Sequence, residues 1–194
     1  VRLECTVERA SCEDFGVAVE VAERIGIDPA PLDPGDPDAY RWLRACVWPD
    51  QPERLRILEQ AAAARSEVDV QVVEGDGASR IAAALELIPP DRPVVVVSSW
   101  SLLYMAQAGR SRFLEALASA AQARRLWWVD NGPFEDGPAL VHGRRPGLDF
   151  SESGLAALTL TTWEQGAPVL DVLGQADPFG RRLRWARGRL GKHR

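Results

Sequence analysis

The segment that decides the fold is Pro93-Val94-Val95-Val96-Val97-Ser98, in which four valines lie between a proline and a serine. A continuous apolar run of this length is typical of a strand buried on both faces, as in a parallel sheet covered by helices. The stretch from Leu126 to Asp130 has the same character and predicts a second buried strand. Residues Ser111–Arg124 between them predict a helix, and a strand, a helix and a strand in succession indicate an α/β fold.

The alternation continues on both sides of these two strands. Val68–Val73 alternates and is rich in β-branched residues, which predicts a strand, and Ala78–Leu87 predicts the helix after it. Leu155–Trp163 and Val169–Gln175 are joined by Glu164-Gln165-Gly166-Ala167, a strong hairpin signal. We therefore expect the three earlier strands to be adjacent and parallel, with the hairpin antiparallel at one edge of the sheet.

The remaining elements have weaker patterns. Together they complete a single domain over residues 1–194 with a Rossmann-like, mostly parallel sheet and a C-terminal antiparallel hairpin. We predict short strands at Val1–Thr6, Val17–Val21 and Arg182–Ala186, helices at Asp38–Cys46 and Pro52–Arg65, a loop at Pro29–Pro37 and a turn at Asp177–Gly180.

Composition narrows the classes of function. The net charge of -5 argues against a dedicated nucleic-acid binder, and no apolar run is long enough to span a bilayer. Three cysteines are an odd number without metal-ligand spacing, which favours free thiols in a reducing compartment. His142 and His193 have no ligand neighbours at a suitable spacing, so we expect no metal site. We expect a cytoplasmic protein, and the oligomeric state stays open.

The loop before the helix at Pro52–Arg65 is unusually rich in functional groups. Asp50 is suited to cap that helix, and Pro52 suits its first turn. Capping does not account for Trp48, Gln51 and Arg54 in the same cluster. Two interpretations therefore stay open. One is plain capping and packing; the other is a loop that lines one side of a ligand cleft, near Asp76 and Ser99.

Two phrases of this sequence resemble the signature of the domain-of-unknown-function family 2332, which is common in actinobacteria. They are Arg24-Ile25-Gly26-Ile27-Asp28-Pro29-Ala30-Pro31-Leu32-Asp33 and Val47-Trp48-Pro49-Asp50-Gln51-Pro52-Glu53-Arg54. The resemblance runs through nearly the whole chain, and the first phrase adds Asp28 to the candidate cleft residues. The family's name assigns no activity. The C-terminal hairpin after parallel strands is similar to the ending of class I S-adenosylmethionine-dependent methyltransferases.

That second resemblance implies a cofactor site. Gly75 and Asp76 follow a strand at the point where methyltransferase-like sheets place an acidic residue against the adenine amino group. Asp76 is equally suited to cap the next helix. Ser98 and Ser99 end the valine strand. At this point members of family 2332 tend to have His-Ser-x-x-Trp-Gln-Tyr, and the imidazole and the amide of that motif are missing here. Asp130 ends the next strand and is a further candidate for holding a polar substrate.

The resemblance also implies a glycine-rich loop after the first strand, and the sequence has none near a predicted strand. We interpret the sequence as a methyltransferase-like domain truncated at its N-terminus, without that strand and with its edges left unpaired. Three classes of function follow: a small-molecule methyltransferase using S-adenosylmethionine, a non-catalytic domain that binds a nucleotide or a partner protein, and a truncated remnant. We expect the 194 residues alone to bind S-adenosylmethionine weakly or not at all, and a version extended upstream to bind it better.

Overall fold

The computed structural model describes residues 4–8, 19–33, 35–65, 67–143 and 155–188. These ranges contain eight strands, five α-helices and two short 3-10 turns. In chain order they are β1 (Thr6–Glu8), β2 (Ile25–Asp28), α1 (Pro37–Ala45), α2 (Pro52–Arg65), β3 (Gln71–Glu74), α3 (Gly77–Glu86), β4 (Val94–Ser99), a 3-10 turn (Ser101–Tyr104), α4 (Gln107–Ala123), β5 (Leu126–Gly132), a 3-10 turn (Phe134–Asp136), α5 (Pro138–His142), β6 (Ala156–Glu164), β7 (Ala167–Ala176) and β8 (Arg182–Gly188).

The described strands form two separate sheets. The larger sheet has six strands in the order β1-β8-β7-β6-β5-β4, and the smaller one pairs β2 with β3. The pairs β1/β8, β4/β5 and β2/β3 are parallel, whereas β5/β6, β6/β7 and β7/β8 are antiparallel. The mixed α/β class expected from the sequence is confirmed, and the sheet contains more antiparallel pairing than the alternation with helices indicated.

Two expectations about strand order were wrong. The strand predicted at Val68–Val73 is not adjacent to β4, because β3 pairs with β2 in the smaller sheet. It also begins later, since the Arg65 guanidinium donates to the carbonyls of Val68 (3.2 Å) and Val70 (3.0 Å). The β6–β7 hairpin is not at an edge either, because β8 and then β1 extend the sheet beyond it.

The turn of that hairpin has the predicted geometry. Gln165 and Gly166 both have positive φ angles, 54° and 79°, as a two-residue hairpin turn requires. Farther along β7, the register shifts between Val172 and Gly174. Gly174 has a φ of 156°, and a Cβ at this position would overlap the backbone carbonyl oxygen of Arg184 in β8. Only glycine allows this close approach of β7 and β8.

The predictions for the N-terminal part fared less well. Of the strand predicted at Val1–Thr6, residues 1–3 lie outside the described ranges, and the strand found nearby is β1 at Thr6–Glu8. Of the strand predicted at Val17–Val21, residues 17–18 lie outside the described ranges, and Val19–Val21 has no regular secondary structure. The strand β2 was not predicted. The helices at Pro37–Ala45 and Pro52–Arg65 were predicted to within one residue at each end, and Asp36 caps the first through the backbone N–H of Asp38 (2.9 Å).

The main core lies between one face of the larger sheet and helices α3 and α4. Trp128 of β5 is fully buried there, with its ring edge-to-face against Phe113 of α4 at 6.1 Å. The opposite face is less covered: Val95 and Val97 of β4 are 58% and 70% exposed. The expectation that the valine strand is buried on both faces was therefore wrong. The main cluster consists of Ile81, Leu85, Val94, Leu102, Phe113, Leu114, Leu117, Leu126 and Trp128.

Candidate functional site

Strands β2 and β3 of the smaller sheet run in the same direction as β4, the edge strand of the larger sheet that lies nearest to them. Arg92, two residues before β4, forms an ion pair at 2.8 Å with Glu23, two residues before β2. At the other end, a Cβ at Gly77, which follows β3, would lie 2.8 Å from the Met105 side chain, which follows β4. Strands β2, β3, β4 and β5 therefore have their carboxyl ends at one common edge of the molecule.

A cavity of about 1310 Å³ lies between β2 and β4. Its volume exceeds the roughly 300–1,000 Å³ usual for small-molecule pockets. The middle of the cavity is apolar and is lined by Ile25, Ile27 and the four valines of β4. The carboxyl-end rim is polar and includes Asp76, Ser98, Ser101 and Tyr104. Open α/β folds bind ligands at this position, beyond the carboxyl ends of the strands.

Asp76 lies on this rim between β3 and α3. Its Oδ1 accepts from the backbone N–H of Ala78 at 3.1 Å, so Asp76 is the N-cap of α3. The capping role considered from the sequence is thus present, and it uses one carboxylate oxygen. Gly75 before it has a φ of 136° and packs against the side chain of Arg80. The backbone N–H of Gly75 also donates to the Asp28 carbonyl at 2.9 Å. Asp28, Gly75 and Asp76 therefore lie together.

Ser98 and Asp130 occupy neighbouring positions on the inner face of β4 and β5, where their register pairs them. The Ser98 hydroxyl donates to Oδ1 of Asp130 and accepts from the indole N–H of Trp128 at 2.8 Å. Asp130 is 2% exposed. Burial raises the pKa of Asp130 to about 6, although the Ser98 hydrogen bond lowers it and nearby Asp136 adds a further increase. Thr159, opposite Asp130 on β6, is fully buried, and its hydroxyl has no hydrogen-bond partner among the described residues.

The tips of β4 and β5 carry two further polar side chains, Trp100 and Asn131. After exposed Ser99, Trp100 adopts a left-handed backbone conformation with a φ of 58°, and its N–H donates to the Asn131 carbonyl at 2.8 Å. The indole Nε1 of Trp100 and the Oδ1 of Asn131 are buried atoms without a partner in the described part of the chain. Positive φ in a bulky residue at a strand tip was not detectable from the sequence.

Arg110 of α4 fixes the turn that forms one side of the rim. Its Nε donates to the carbonyls of Leu102 (2.9 Å) and Met105 (3.1 Å), and its guanidinium also pairs with Asp136. This fork holds the Ser101–Tyr104 turn against α4 through backbone carbonyls, in addition to the apolar packing of buried Leu102 in the main core. Tyr104 itself is 85% exposed at the mouth of the cavity.

The Trp48–Arg54 loop contacts a different part of the same edge. The Arg54 guanidinium donates to Gln51 at 2.9 Å and lies 4.1 Å from the ring centre of Phe179, in the turn between β7 and β8. Glu53 pairs with Arg181 at 2.9 Å, just after that turn. Because β7 runs antiparallel to β6, and β6 to β5, the turn lies at the edge where β5 ends.

The four loop residues predicted to line a cleft are Trp48, Asp50, Gln51 and Arg54. They do not belong to the lining of the 1310 Å³ cavity within the described ranges. Trp48 is 68% exposed. Their role in binding a ligand stays a prediction, and any ligand that reached both them and Asp76 would have to extend across the ends of β4, β5 and β6.

Two other findings concern chemistry elsewhere on the molecule. A shallower concavity of about 630 Å³ lies at the opposite edge, around the amino end of β5, and is formed largely by residues 121–127. Over the described ranges, no three His, Cys, Asp or Glu side chains come together in a metal-binding arrangement. Cys5 and Cys46 are free and exposed, whereas Cys12 lies outside those ranges. None of the described helices combines the length and the apolar character needed to cross a membrane.

These features define an α/β protein with a mixed six-stranded sheet, a separate parallel pair of strands, and a large cavity between them. The chain belongs to the domain-of-unknown-function family 2332, described as an uncharacterized protein conserved in bacteria, whose profile matches residues 1–185. Comparison with curated proteins and with solved structures gave no match to either.

Proposed function

We propose that this protein is a methyltransferase-like domain that binds the adenosine end of S-adenosylmethionine at the carboxyl ends of β2, β3 and β4. The observation that supports this most is the position of Asp76, a carboxylate on the rim of a cavity bounded by parallel strands. Strand carboxyl ends are where open α/β folds bind nucleotide-like ligands.

The residues around Asp76 suit a purine nucleoside. Only Oδ1 of Asp76 is used in capping α3, and a carboxylate has further lone pairs on Oδ2 that accept from an exocyclic amino group. Ile27 and Met105 line the same part of the cavity and offer apolar surface to the faces of a purine ring. Gly77 next to Asp76 adds no side chain that would obstruct the approach.

S-adenosylmethionine, when bound, supplies an electrophilic methyl group, and the residues of this chain hold and orient the cofactor. The methionine end carries a carboxylate that needs a cationic or N–H partner. Among the described cavity-lining residues, the basic one is Arg92, which lies at the far end and is already paired with Glu23. We therefore expect the 194 residues to bind the adenosine end chiefly, with dissociation constants near the millimolar range.

The test is ligand binding by NMR titration or calorimetry with S-adenosylmethionine and with adenosine, using the Asp76→Asn variant. Asparagine caps helices as well as aspartate does, so the melting temperature of this variant should match that of the parent. Loss of a charge-assisted hydrogen bond worth about 1.5 kcal/mol should weaken binding roughly tenfold. Asp36→Asn, which changes the equivalent cap of α1, is the matched control and should bind as the parent does.

Two results would contradict the proposal. One is no chemical-shift change at millimolar ligand; the other is equal affinity in the parent and in Asp76→Asn. If adenosine binds and S-adenosylmethionine does not, the site is that of a non-catalytic nucleoside-binding domain, the alternative considered from the sequence. A role in binding a protein partner is favoured by a different observation, the exposure of Val95 and Val97.

A further inference from the structure

Among the described residues, the backbone groups on the edge of β2 that faces the cavity have no partner strand. Within the smaller sheet, the carbonyls of Arg24 and Asp28 accept from the N–H groups of Gln71 (3.0 Å) and Gly75 (2.9 Å). Successive residues of a strand direct their backbone groups to opposite sides, so Ile25 and Ile27 direct theirs away from β3. Both residues line the cavity, whereas no residue of β3 itself does.

The edge of β4 that faces the cavity has a matching row of backbone groups. The N–H groups of Val94 and Trp100 donate to the carbonyls of Arg125 (3.0 Å) and Asn131 (2.8 Å), on the β5 side. The same alternation directs the backbone groups of Val95, Val97 and Ser99 away from β5. In the described part of the chain, β4 is the last strand of its sheet, so this row is unpaired as well.

Both rows face the cavity, and a shared core cluster indicates that β2 and β4 lie in one layer. Ile27 of β2 packs against the same core cluster as Val94 and Val96 of β4. The Glu23–Arg92 ion pair joins the amino ends of the two strands, so both run in the same direction. A strand that matches the six residues of β4 occupies roughly 20 Å by 4.8 Å by 10 Å, or about 950 Å³. The cavity of about 1310 Å³ is larger than this volume.

The charges at the two ends of this space are complementary to basic groups. At the amino end, Glu20 and Glu23 line the cavity with one arginine, Arg92, which Glu23 neutralises. At the carboxyl end, Asp76 lines the cavity, with exposed Glu74 close by in sequence. Between the ends the lining is apolar on both faces of the layer, as for the central strand of a parallel sheet.

We propose that the space between β2 and β4, here termed the strand slot, is the docking site for one extended polypeptide segment from outside the 194 residues. The segment runs parallel to both strands, is apolar over about six residues and is basic at its ends. Outside the described ranges no stretch has six consecutive residues free of charge, glycine and proline. The segment converts two sheets into one continuous sheet, which removes both exposed edges.

The experiment uses the 194-residue protein and a fluorescent ten-residue peptide of two lysines, six alternating valines and isoleucines, and two lysines. Anisotropy measures affinity, and amide hydrogen exchange measures pairing. We expect saturable binding and at least tenfold slower exchange at Ile25, Ile27, Val95 and Val97. The neighbouring Val94 amide, which already pairs with β5, should change little.

Matched peptides test the chemistry of the occupant. Replacing the four lysines by glutamates should weaken binding at least tenfold at low salt, because the slot has acidic ends. N-methylation at alternate residues removes every N–H on one side of the peptide, so either set of methylations should abolish pairing with one edge and weaken binding by a similar factor. Equal binding of the lysine, glutamate and N-methylated peptides would show non-specific apolar adsorption and overturn the proposal.

A protein variant gives an independent result. Val97→Pro removes an N–H that points into the slot and leaves the hydrogen bonds to β5 in place, as proline does at edge strands. Val97→Thr keeps the N–H and is the control. We expect roughly tenfold weaker peptide binding by the proline variant alone, with similar melting temperatures. Equal binding by both variants, or a stable dimer of the parent in which Val95 and Val97 are already protected from exchange, would overturn the proposal. Neither outcome depends on S-adenosylmethionine.

Discussion

Replacing Asp130 by asparagine is expected to stabilise this protein at neutral pH. The carboxyl group of Asp130 is buried, and its pKa is raised from 3.8 to about 6, with burial as the largest cause. Below pH 3.8 the carboxyl group is protonated in both the folded and the unfolded protein, so its burial does not lower the free energy of unfolding. Between pH 3.8 and 6 the unfolded chain releases its proton first, so the free energy of unfolding falls as pH rises. Above pH 6 the carboxylate is charged in both states, and the full free-energy cost of burying this charge is present.

The size of this cost follows from the two pKa values. Their difference corresponds to about 3 kcal/mol. Asparagine has the same shape and no charge. Its Oδ1 is expected to accept from the Ser98 hydroxyl as the carboxylate does, and its amide N–H has the unpartnered Thr159 hydroxyl opposite it. At pH 8 we expect Asp130→Asn to be more stable by up to about 3 kcal/mol. In a chain of this size that raises the melting temperature by roughly 6–12 °C.

Urea unfolding followed by tryptophan fluorescence at pH 4, 6 and 8 measures the difference directly. The advantage of the asparagine variant should be largest at pH 8 and should nearly vanish at pH 4. Asp69→Asn, at an exposed position, is the control and should change stability by less than about 0.5 kcal/mol. The reasoning is refuted if Asp130→Asn is less stable than the parent at pH 8, or if its advantage is independent of pH. A carboxylate retained at this cost is a candidate for a role in binding.

Three further changes test other parts of the molecule. Gly174→Ala places a Cβ against the Arg184 carbonyl and should destabilise the protein by more than about 2 kcal/mol in urea unfolding, whereas Gly166→Ala, with positive φ in open space, should cost about 1 kcal/mol. Equal costs would show that the bulge relaxes. Arg110→Lys loses the planar fork that binds two carbonyls and should lower stability by about 1–2 kcal/mol, with faster amide exchange confined to the Ser101–Tyr104 turn; faster exchange throughout would contradict a local clamp. Ser98→Ala removes the hydrogen bond that lowers the pKa of the buried β5 carboxyl, so carbon-13 NMR should find that pKa higher than in the parent; a lower value would contradict the assigned donor.

Local signals in the sequence were sufficient for the elements that depend on local interactions. Helix α2 begins and ends where Pro52 and Arg65 indicated, because a proline is tolerated only in the first turn of a helix. The β6–β7 turn followed from Gln165-Gly166, since few residue pairs tolerate two positive φ angles. The apolar runs of β4 and β5 identified two strands and their parallel pairing.

Features that depend on distant parts of the chain were not predictable. The valine run indicates an apolar strand but not which of its faces a helix covers, so the exposure of Val95 and Val97 was missed. Strand β2 has four residues, and the alternation of Ile25 and Ile27 was too short to outweigh the loop residues that follow.

The role of the candidate site residues stays a prediction. Asp28, Gly75 and Asp76 come together because β2 and β3 are parallel and end at one edge, and the sequence did not indicate this because strand β2 was not predicted. Ser98 is buried and forms hydrogen bonds with Asp130 and Trp128. The sequence did not indicate these contacts because they depend on which face of β4 points inward. The strained backbone at Trp100 arises from the same tertiary context.

The pairing of β1 with β8 has a consequence for how the protein is made. Glu8 of β1 contacts Arg182 of β8, 174 positions later in the sequence. At roughly 5–20 residues per second, a ribosome needs about 9 to 35 s to synthesise the intervening chain. Throughout that interval the β1 segment has no partner strand, and the six-stranded sheet closes at this edge only when synthesis of residues 182–188 is complete. Contacts of such high sequence separation also slow refolding of the finished chain. Among the described strands, β1 is therefore the one with the longest exposure to chaperones and proteases before it pairs.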